Sequence, residues 1–443
     1  MSATFRSLAV PNYRVWFAGA LVSNVGTWMQ RVAQDWLVLQ VLTAGSGVAV
    51  GVTTGLQFLP MLLLGPYAGL VADRVDKRRL LMVTQGLSGL WGLVLGLLVV
   101  TDQAELWHVY ALAALLGVTT AFDAPARQTF VAQLVPADHL PNAVGLNSAS
   151  FNSARLVGPG LAGLLIAAFG TGPVFLINAA SFAATVVALL LMRTGELLPM
   201  PAAKRGKGQV REGVRYVRGR PDVVVILVVV GVIGMLGMNF QLTTALMATQ
   251  TFGRGAAEFG VLGSIIAIGS LTGALLAARR EQPRLRLVFG AAGAFGLAAV
   301  VAASMPTYTS FAVALVPVGL TALTMMTAAN AYVQSTTDPA MRGRVMALYM
   351  MIFMGGTPVG APLIGLVGDV LGPRWTIYIG GIAALLVAAG AVAWVARRDS
   401  LQIRYRLHEQ PHLQVLNPLD RAERDAAREA LDADGGKAAR TAA

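Results

Sequence analysis

The sequence predicts an all-α polytopic membrane protein with twelve transmembrane helices in two pseudo-symmetric six-helix bundles. Three observations predict this class: a charge-poor composition, twelve apolar stretches of membrane-spanning length, and basic residues confined to alternate loops. Of the 443 residues, 56% are hydrophobic and 13% are charged, whereas a soluble chain carries about 25% charged residues. The composition therefore excludes an ordinary soluble domain.

A helix needs about 20 mostly apolar residues to cross the hydrocarbon core of a bilayer. The short charged N-terminal segment is not followed by a small-residue cleavage site, so we expect the first stretch to be a membrane helix and not a removed signal peptide. Spans 1 to 12 are predicted at 15–41, 47–71, 80–100, 108–124, 142–168, 173–192, 222–247, 258–278, 286–304, 309–331, 344–368 and 374–396.

The basic residues predict the orientation of these spans. Among the 34 lysines and arginines, Arg31 and Arg155 lie inside spans, and Arg254 and Arg374 lie in loops on one side. The others lie at the termini and in the loops on the opposite side, which the positive-inside rule assigns to the cytoplasm. Both termini are therefore predicted to be cytoplasmic. The net charge of +12 then reflects topology, and we expect no nucleic-acid partner.

The chain is predicted to divide into four parts: an N-terminal bundle at 1–193, a basic cytoplasmic linker at 194–221, a C-terminal bundle at 222–397 and a polar cytoplasmic tail at 398–443. In the tail, Asn417 and Pro418 predict the start of a charged helix that ends near Gly435. His408, Glu409 and His412 have helical spacing, but such a pattern on a solvated tail rarely marks a metal site.

The two bundles share a glycine pattern. Gly158, Gly163 and Gly170 in and after span 5 have the same spacing as Gly360, Gly365 and Gly372 in and after span 11. This agreement indicates a duplicated six-helix unit, and paired halves around a central site are typical of transporters.

Polar residues inside spans are costly, since a charge at the bilayer centre costs about 3 kcal/mol on insertion scales. The candidate cavity residues are Asn24, Trp28, Arg31 and Asp35 in span 1, Asn152 and Arg155 in span 5, and Asn239 and Thr243 in span 7. Arg31 and Asp35 are one helical turn apart and can pair. Two interpretations stay open: a buried salt bridge that fixes helix positions, or a cavity wall whose carboxylate exchanges protons.

The loop after span 2 contains Gly69, Asp73, Arg74, Arg78 and Arg79. This pattern resembles the G-x-x-x-D-R-x-G-R-R signature of the major facilitator superfamily, with Asp76 in place of the usual glycine. The resemblance implies a cytoplasmic gate, in which Asp73 would face the positive N-terminus of the span 11 helix near Arg342–Val345. The alternative is a positive-inside cluster with one acidic residue.

Span 5 contains Gly158, Pro159 and Gly163. The spacing of its glycines satisfies G-x-G-x-x-G, but no strand precedes it, so a dinucleotide site is excluded. The segment resembles the glycine-proline signature of superfamily exporters, where proline and small residues bend the helix and let a neighbour approach closely. A generic membrane kink is the alternative.

The resemblance covers residues 5 to 397 and is closest to the enterobactin-exporter-like branch, the transmembrane secretion effectors. It rests on the segments Asn12–Gly19, Ser23–Arg31 and Phe122–Gln128. The resemblance implies the major facilitator fold, in which helices 1, 4, 7 and 10 line a cavity between the bundles. It also implies a monomer in the cell membrane of a bacterium, with a small-molecule substrate, protons and the lipid bilayer as partners.

This resemblance further implies a secondary active transporter that exports small, bulky organic molecules, such as a drug, a siderophore or another natural product, by proton antiport. A proton-coupled symporter that imports a small solute is the alternative. Many such antiporters carry an arginine in helix 4, but the residues before Gly117 are uncharged here. The candidate for proton coupling is therefore Asp35, with Arg31 or Arg155, and Asp123 is the next candidate.

Other functional classes lack the residues that they need. The chain has no cysteine and four histidines, which excludes thiolate metal sites and cysteine nucleophiles. The phosphate-binding pattern G-x-x-x-x-G-K-[ST] of ATP-driven pumps is absent from the sequence. We therefore expect neither an enzyme nor a bound metal or cofactor.

Overall fold

The computed structural model describes residues 3–198, 209–278, 285–398, 402–405 and 413–416. A 3-10 helix, Ala3–Ala9, precedes the first long helix, and a π-helical segment, Leu37–Leu42, continues it. The six long helices of the first half are α1 (Pro11–Trp36), α2 (Gly47–Arg74), α3 (Lys77–Val100), α4 (Leu106–Leu134), α5 (Leu140–Phe169) and α6 (Thr171–Leu190).

The second half is less regular. Span 7 consists of α8 (Pro221–Val232) and α9 (Phe240–Leu246), which are followed by the π-helical segments Ile233–Gly237 and Met247–Thr251. Span 11 is broken at Gly356 into two helices. The remaining helices are α7 (Gln209–Arg218) in the linker, α10 (Ala256–Ala278), α11 (Leu285–Ser304), α12 (Tyr308–Thr336), α13 (Pro339–Gly355), α14 (Thr357–Leu371) and α15 (Pro373–Arg398).

Each predicted span falls on a described helix or on a broken pair of helices. Eleven of them, counted within the described part of the chain, are long and apolar enough to cross a membrane. The exception is α1, because residues such as Asn24, Arg31 and Asp35 lower its hydropathy. The predicted class, an all-α polytopic membrane protein, is confirmed.

Several helices begin at a side chain that caps free backbone N–H groups. Ser46 accepts a hydrogen bond from the Ala49 amide at the start of α2, and Asp76 accepts one of 2.7 Å from the Arg79 amide at the start of α3. Such caps stabilise a helix by about 1 kcal/mol. Because Asp76 has a φ of −59°, the turn between α2 and α3 does not require the glycine of the superfamily signature.

The predicted repeat of glycines has the same structural role in both halves. Gly170 and Gly372 end α5 and α14 with φ angles of +78° and +96°, a region that glycine adopts without a steric penalty. The other four glycines make equivalent contacts: Gly158 lies against α1, Gly360 against the π-helical segment after α8, Gly163 against α10, and Gly365 against α2. The halves are therefore pseudo-symmetric at the level of individual contacts.

Large apolar side chains cover the outer surface of the helices, including Leu63, Leu164 and Val370, each at least 60% exposed. This distribution suits a protein whose surface contacts lipid. One interior cluster, by contrast, packs Tyr13 and Trp16 of α1 against Phe130 of α4.

The linker contains a helix that its basic composition did not predict. On α7, Glu212 forms a 3.1 Å ion pair with Arg344 of α13, and the Tyr216 hydroxyl donates to Asp338, the residue before α13. The described part of the linker is therefore attached to the start of span 11.

The chain divides into two compact units, Met1–Leu385 and Leu386–Ala443. The second unit contains the end of α15 and an antiparallel hairpin of β1 (Gln402–Tyr405) and β2 (Leu413–Leu416). The predicted tail helix at 417–435 and the residues His408, Glu409 and His412 lie outside the described residues. The predicted division of the chain into four parts stays a prediction.

Candidate functional site

A cavity lies among the helices of the first half. Its volume is about 440 Å³, which is large enough for a small organic molecule. Its lining is rich in amide side chains: Asn24, Gln30, Gln34, Gln57, Gln85, Gln128, Asn147, Asn152 and Asn178. The charged residues on the wall are Arg31, Asp123 and Arg127.

The structure brings together only part of the predicted cavity. Asn24, Arg31 and Asn152 lie on its wall, whereas Asn239 and Thr243 do not. Asn239 is buried at the interruption of span 7 and donates to the Met235 carbonyl of its own segment. Thr243 lines a separate void of about 20 Å³. The polar residues of span 7 thus face their own helix and the interior of the second half, and their place in a substrate cavity stays a prediction.

The contact between α1 and α5 is polar beside the cavity. The Asn24 amide donates to the Ser150 hydroxyl over 3.2 Å, and the Asn152 amide donates to the Ser148 carbonyl of its own helix. The polar faces that the sequence predicts on spans 1 and 5 thus lie beside each other.

Two arginines and three aromatic rings form a cluster on α1, α2 and α5. The guanidinium carbons of Arg31 and Arg155 lie 5.0 Å and 5.7 Å from the centroid of the Trp28 ring. Arg31 also lies 5.9 Å from the Phe58 ring, and Phe151 packs edge-on against Trp28. Arginine over an aromatic face is a favourable electrostatic contact.

The predicted Arg31–Asp35 pair is absent from the ion pairs of the described residues. Asp35 is 6% exposed, and its Oδ2 atom accepts no hydrogen bond from the described side chains or backbone. The Arg31 side chain is directed to the Trp28 and Phe58 rings instead. The structure therefore does not support a salt bridge that fixes helix positions at this place.

A second buried carboxylate lies on the cavity wall and is fully hydrogen-bonded. Asp123 accepts from the Thr84 hydroxyl and the Gln85 amide at 2.7 Å each, and from Arg127 at 2.8 Å. Arg127 in turn lies 5.6 Å from the Trp16 ring. Charge-assisted hydrogen bonds of this kind are among the strongest in proteins, so the cluster joins α3 to α4 rigidly.

From the sequence, Asp123 is only the second candidate for coupling, and the predicted span 4 ends at residue 124. In the structure α4 continues to Leu134, because Asp123, Arg127 and Gln128 face the cavity, where polar side chains are tolerated. The spacing of Asp123 and Arg127, one helical turn apart, is the signal that could have identified the pair.

The two halves meet along a seam formed by α2 and α14, and backbone contacts close one end of this seam. Gly51 and Gly365 lie so close to the facing helix that an added Cβ atom would overlap a carbonyl of α14 or α2, respectively. The Asp369 carboxylate, at the end of α14, accepts from the amides of Gly47 and Val48 at 2.6 Å and 3.0 Å and from the Ser46 hydroxyl at 3.2 Å. A carboxylate at a helix N-terminus is favoured by the helix dipole.

The predicted span 5 motif lies at a second seam between the halves, formed by α5 and α10. Gly158 lies against Trp28 of α1, Pro159 packs against two glycines of α10, and a Cβ atom on Gly163 would lie 2.6 Å from the Ala256 carbonyl oxygen. Pro159 and Gly163 thus stand where α5 and α10, which belong to different halves, approach each other closely, whereas Gly158 lies at a contact within the first half.

The predicted gate motif lies at the opposite end of α2 from Gly47. Arg78 donates to the Leu189 and Leu190 carbonyls at the end of α6, at 2.6 Å and 3.5 Å. Asp73 is half-buried, while Arg74 and Arg79 are exposed. Gly69 precedes them on α2.

At this end of α2, Leu62 lies against Gly355 of α13. A Cβ atom added to Gly65 would meet no atom within 4 Å. Arg344 of α13, close to the predicted contact of Asp73, forms its ion pair with Glu212 of α7. The predicted contact between Asp73 and the start of span 11 stays a prediction.

The profile of the transmembrane secretion effector family matches residues 2–419. The chain belongs to this family. The chain is 24% identical to the staphyloferrin A transporter of Staphylococcus aureus, over 84% of this chain and 94% of that protein. It is 27% identical to the multidrug efflux pump Tap of Mycolicibacterium fortuitum, over 84% and 93%, and 25% identical to the enterobactin exporter EntS of Escherichia coli, over 85% and 90%.

Solved structures confirm the fold of this transmembrane secretion effector. A bacterial homologue of the human lysosomal transporter Spinster matches with a TM-score of 0.69 and 14% identity, over 87% of this chain and 97% of that one. A POT family transporter matches with a TM-score of 0.69 and 14% identity, over 87% and 96%. The chain is therefore a multi-pass membrane transporter of the major facilitator type, as the motifs of its sequence predict.

Proposed function

We propose that this transporter exports small, bulky organic molecules by proton antiport through alternating access. The observation that carries the proposal is the cavity of about 440 Å³ with polar walls at membrane depth. Amide and charged side chains at that depth are costly in contact with lipid, but not in contact with water or a polar solute. A pocket of this kind suits a carrier.

The direction of transport is proposed from the named relatives. Two of them are described as an enterobactin exporter and a multidrug efflux pump, and the glycine-proline segment of α5 resembles that of exporters. Import of a small solute by proton symport is the alternative.

The seams support an access path from the cytoplasm. The α2–α14 seam is closed at the Gly47 end, and the distribution of basic residues predicts that the opposite end of α2 is cytoplasmic. Together with the pseudo-symmetric halves, this arrangement corresponds to an inward-open state in a bacterial cell membrane, with both termini cytoplasmic. An exporter loads its substrate in such a state.

For proton coupling, we propose Asp35. A buried carboxylate with an unpartnered oxygen is costly when charged, so a proton that enters and leaves Asp35 can change the relative stability of two states. Asp123 fits this role less well, because Thr84, Gln85 and Arg127 satisfy its carboxylate. It remains the second candidate.

The direction is tested with membrane vesicles of both orientations under an imposed pH gradient. The probes are the cation ethidium and the anion 5-dimethylaminonaphthalene-1-sulfonate, and vesicles without the protein are the control. Export predicts that a probe accumulates in inside-out vesicles. Accumulation confined to right-side-out vesicles would show import instead.

The coupling residue can be tested without a substrate. Since the chain has no cysteine, spin labels on introduced Phe169→Cys and Pro306→Cys can report the distance between the halves. We expect the populations of the two states to depend on pH in the native chain and in Asp123→Asn, but not in Asp35→Asn. The reverse pattern would assign coupling to Asp123.

A further inference from the structure

The arginine cluster beside the cavity has hydrogen-bonding capacity that the protein does not use. Arg31 lines the cavity, and both Arg31 and Arg155 lie over the Trp28 ring. Within the described residues, neither guanidinium donates a hydrogen bond or forms an ion pair. Each guanidinium carries five N–H donors in a planar fork that fits an anionic group of two or three oxygens.

The charges near this cluster do not balance. Asp35 attracts the Arg31 charge and Arg155 repels it, so the two guanidinium groups face one carboxylate at most and at least one positive charge is in excess. Asp123, the carboxylate that lines the cavity, is neutralised by Arg127. Uncompensated charge away from water is costly, so an anion that enters the cavity would relieve a repulsion already present in the protein.

The surroundings of the two arginines add a preference for an aromatic solute. Trp28 and Phe151 pack edge-on with their centroids 5.8 Å apart, and the Phe58 ring lies 5.9 Å from the Arg31 guanidinium carbon. The amide groups of Asn24 and Asn152 border the same cavity. A flat anion can therefore place its charge near the guanidinium groups and its ring against aromatic side chains.

We propose that Arg31 and Arg155 form an anion-binding site, and that the transported molecule is an organic anion with an aromatic part. The statement about transport rests on the proposed function, whereas the anion site does not. The same site would disfavour organic cations, because their charge would be repelled by two arginines. Selectivity by charge is thus assigned to one pair of residues on α1 and α5.

The site is tested by equilibrium binding to the full chain in lipid nanodiscs, without any gradient. The probe is the permanent anion 5-dimethylaminonaphthalene-1-sulfonate, and its neutral sulfonamide is the matched comparison, with empty nanodiscs subtracted. We expect the native chain to bind the sulfonate at least about tenfold more tightly, as befits a charge-assisted contact. Equal affinities, or no binding of the sulfonate, would overturn the proposal.

Variants locate the site. Arg155→Gln and Arg31→Gln should each remove most of the preference for the sulfonate, while Arg155→Lys, which keeps the charge, should retain part of it. Arg254→Gln is the matched control, because Arg254 lies 5.7 Å from the Tyr308 ring, outside the cavity, and this variant should bind like the native chain. If the glutamine variants kept the preference, or Arg254→Gln lost it equally, the assignment to this pair would be wrong.

Binding and transport can fail separately. If the chain prefers the sulfonate but no probe accumulates in inside-out vesicles, the anion site is supported and the proposed export is refuted. If the chain exports ethidium and shows no preference for the sulfonate, export is supported and the anion site is refuted.

Discussion

The contact between Asp369 and the start of α2 stabilises the state in which the two halves are closed at the Gly47 end of α2. Asp369 accepts three hydrogen bonds, of 2.6, 3.0 and 3.2 Å, from residues that begin the facing helix. These bonds join the two halves at the closed end of the seam. We therefore expect Asp369→Asn to shift the chain toward the state in which this end is open.

The size of the shift follows from the contacts. Asparagine keeps one acceptor oxygen but loses the charge and at least one bond, and Asp369 is exposed, so solvent reduces the electrostatic part. The loss of one hydrogen bond contributes about 1 kcal/mol and the lost interaction with the helix dipole about 0.3–1 kcal/mol. A change of about 1–2 kcal/mol alters a two-state ratio about 5- to 30-fold.

The assay is electron spin resonance distance measurement between labels on Phe169→Cys and Pro306→Cys, at the ends of α5 and α11 on this side. Phe169 is exposed and Pro306 lies in the loop after α11. The ratio of the long-distance to the short-distance population should grow by this factor in Asp369→Asn. Asp102→Asn is the control, because it removes a negative charge on the same side and Asp102 has a φ of +56°, which asparagine also tolerates.

Unchanged distance populations in Asp369→Asn would refute the reasoning, as would an equal change in Asp102→Asn. In the first case the helix contacts of the seam hold it closed without the carboxylate. In the second, only the net charge of that surface matters.

Two further predictions concern stability. Gly51→Leu should lower the apparent melting temperature or the yield of folded protein, because the new leucine side chain would overlap a carbonyl of α14 and overpacking costs about 1–3 kcal/mol. Gly86→Leu is the control, because Gly86 faces open space. This variant should leave thermal unfolding of the purified protein unchanged. Arg78→Gln should destabilise the chain by about 1 kcal/mol, because it removes hydrogen bonds to the carbonyls that end α6. Arg79→Gln, on an exposed neighbour, should have no such effect on the unfolding temperature, and equal losses in the two variants would contradict this assignment.

Much of the architecture could be predicted from local patterns. The length of each apolar run limits where a helix can cross a bilayer, and all twelve predicted spans fall on described helices. The matched spacing of Gly158, Gly163 and Gly170 with Gly360, Gly365 and Gly372 predicted related halves, and the structure gives each pair an equivalent contact. These features depend on residues that are near one another in the chain.

The ends of helices were harder to predict. The apolar run of span 4 ends at about residue 124, but α4 continues to Leu134 because its polar residues face a cavity. Hydropathy cannot distinguish a polar residue in a loop from one that faces water inside the protein. The interruption of span 7 at Asn239 had no signal in the sequence, since no proline marks it.

The sequence by itself determined that the chain crosses a membrane, that polar residues lie inside spans 1 and 5, and that its motifs are those of a transporter family. Only the tertiary structure decided that Arg31 contacts Trp28 and not Asp35, that Asp123 joins α3 to α4, and that Asp369 holds the start of α2. The physical reason is the range of the interactions. Helix formation depends on neighbouring residues, whereas the partner of a buried charge depends on which distant helix packs beside it.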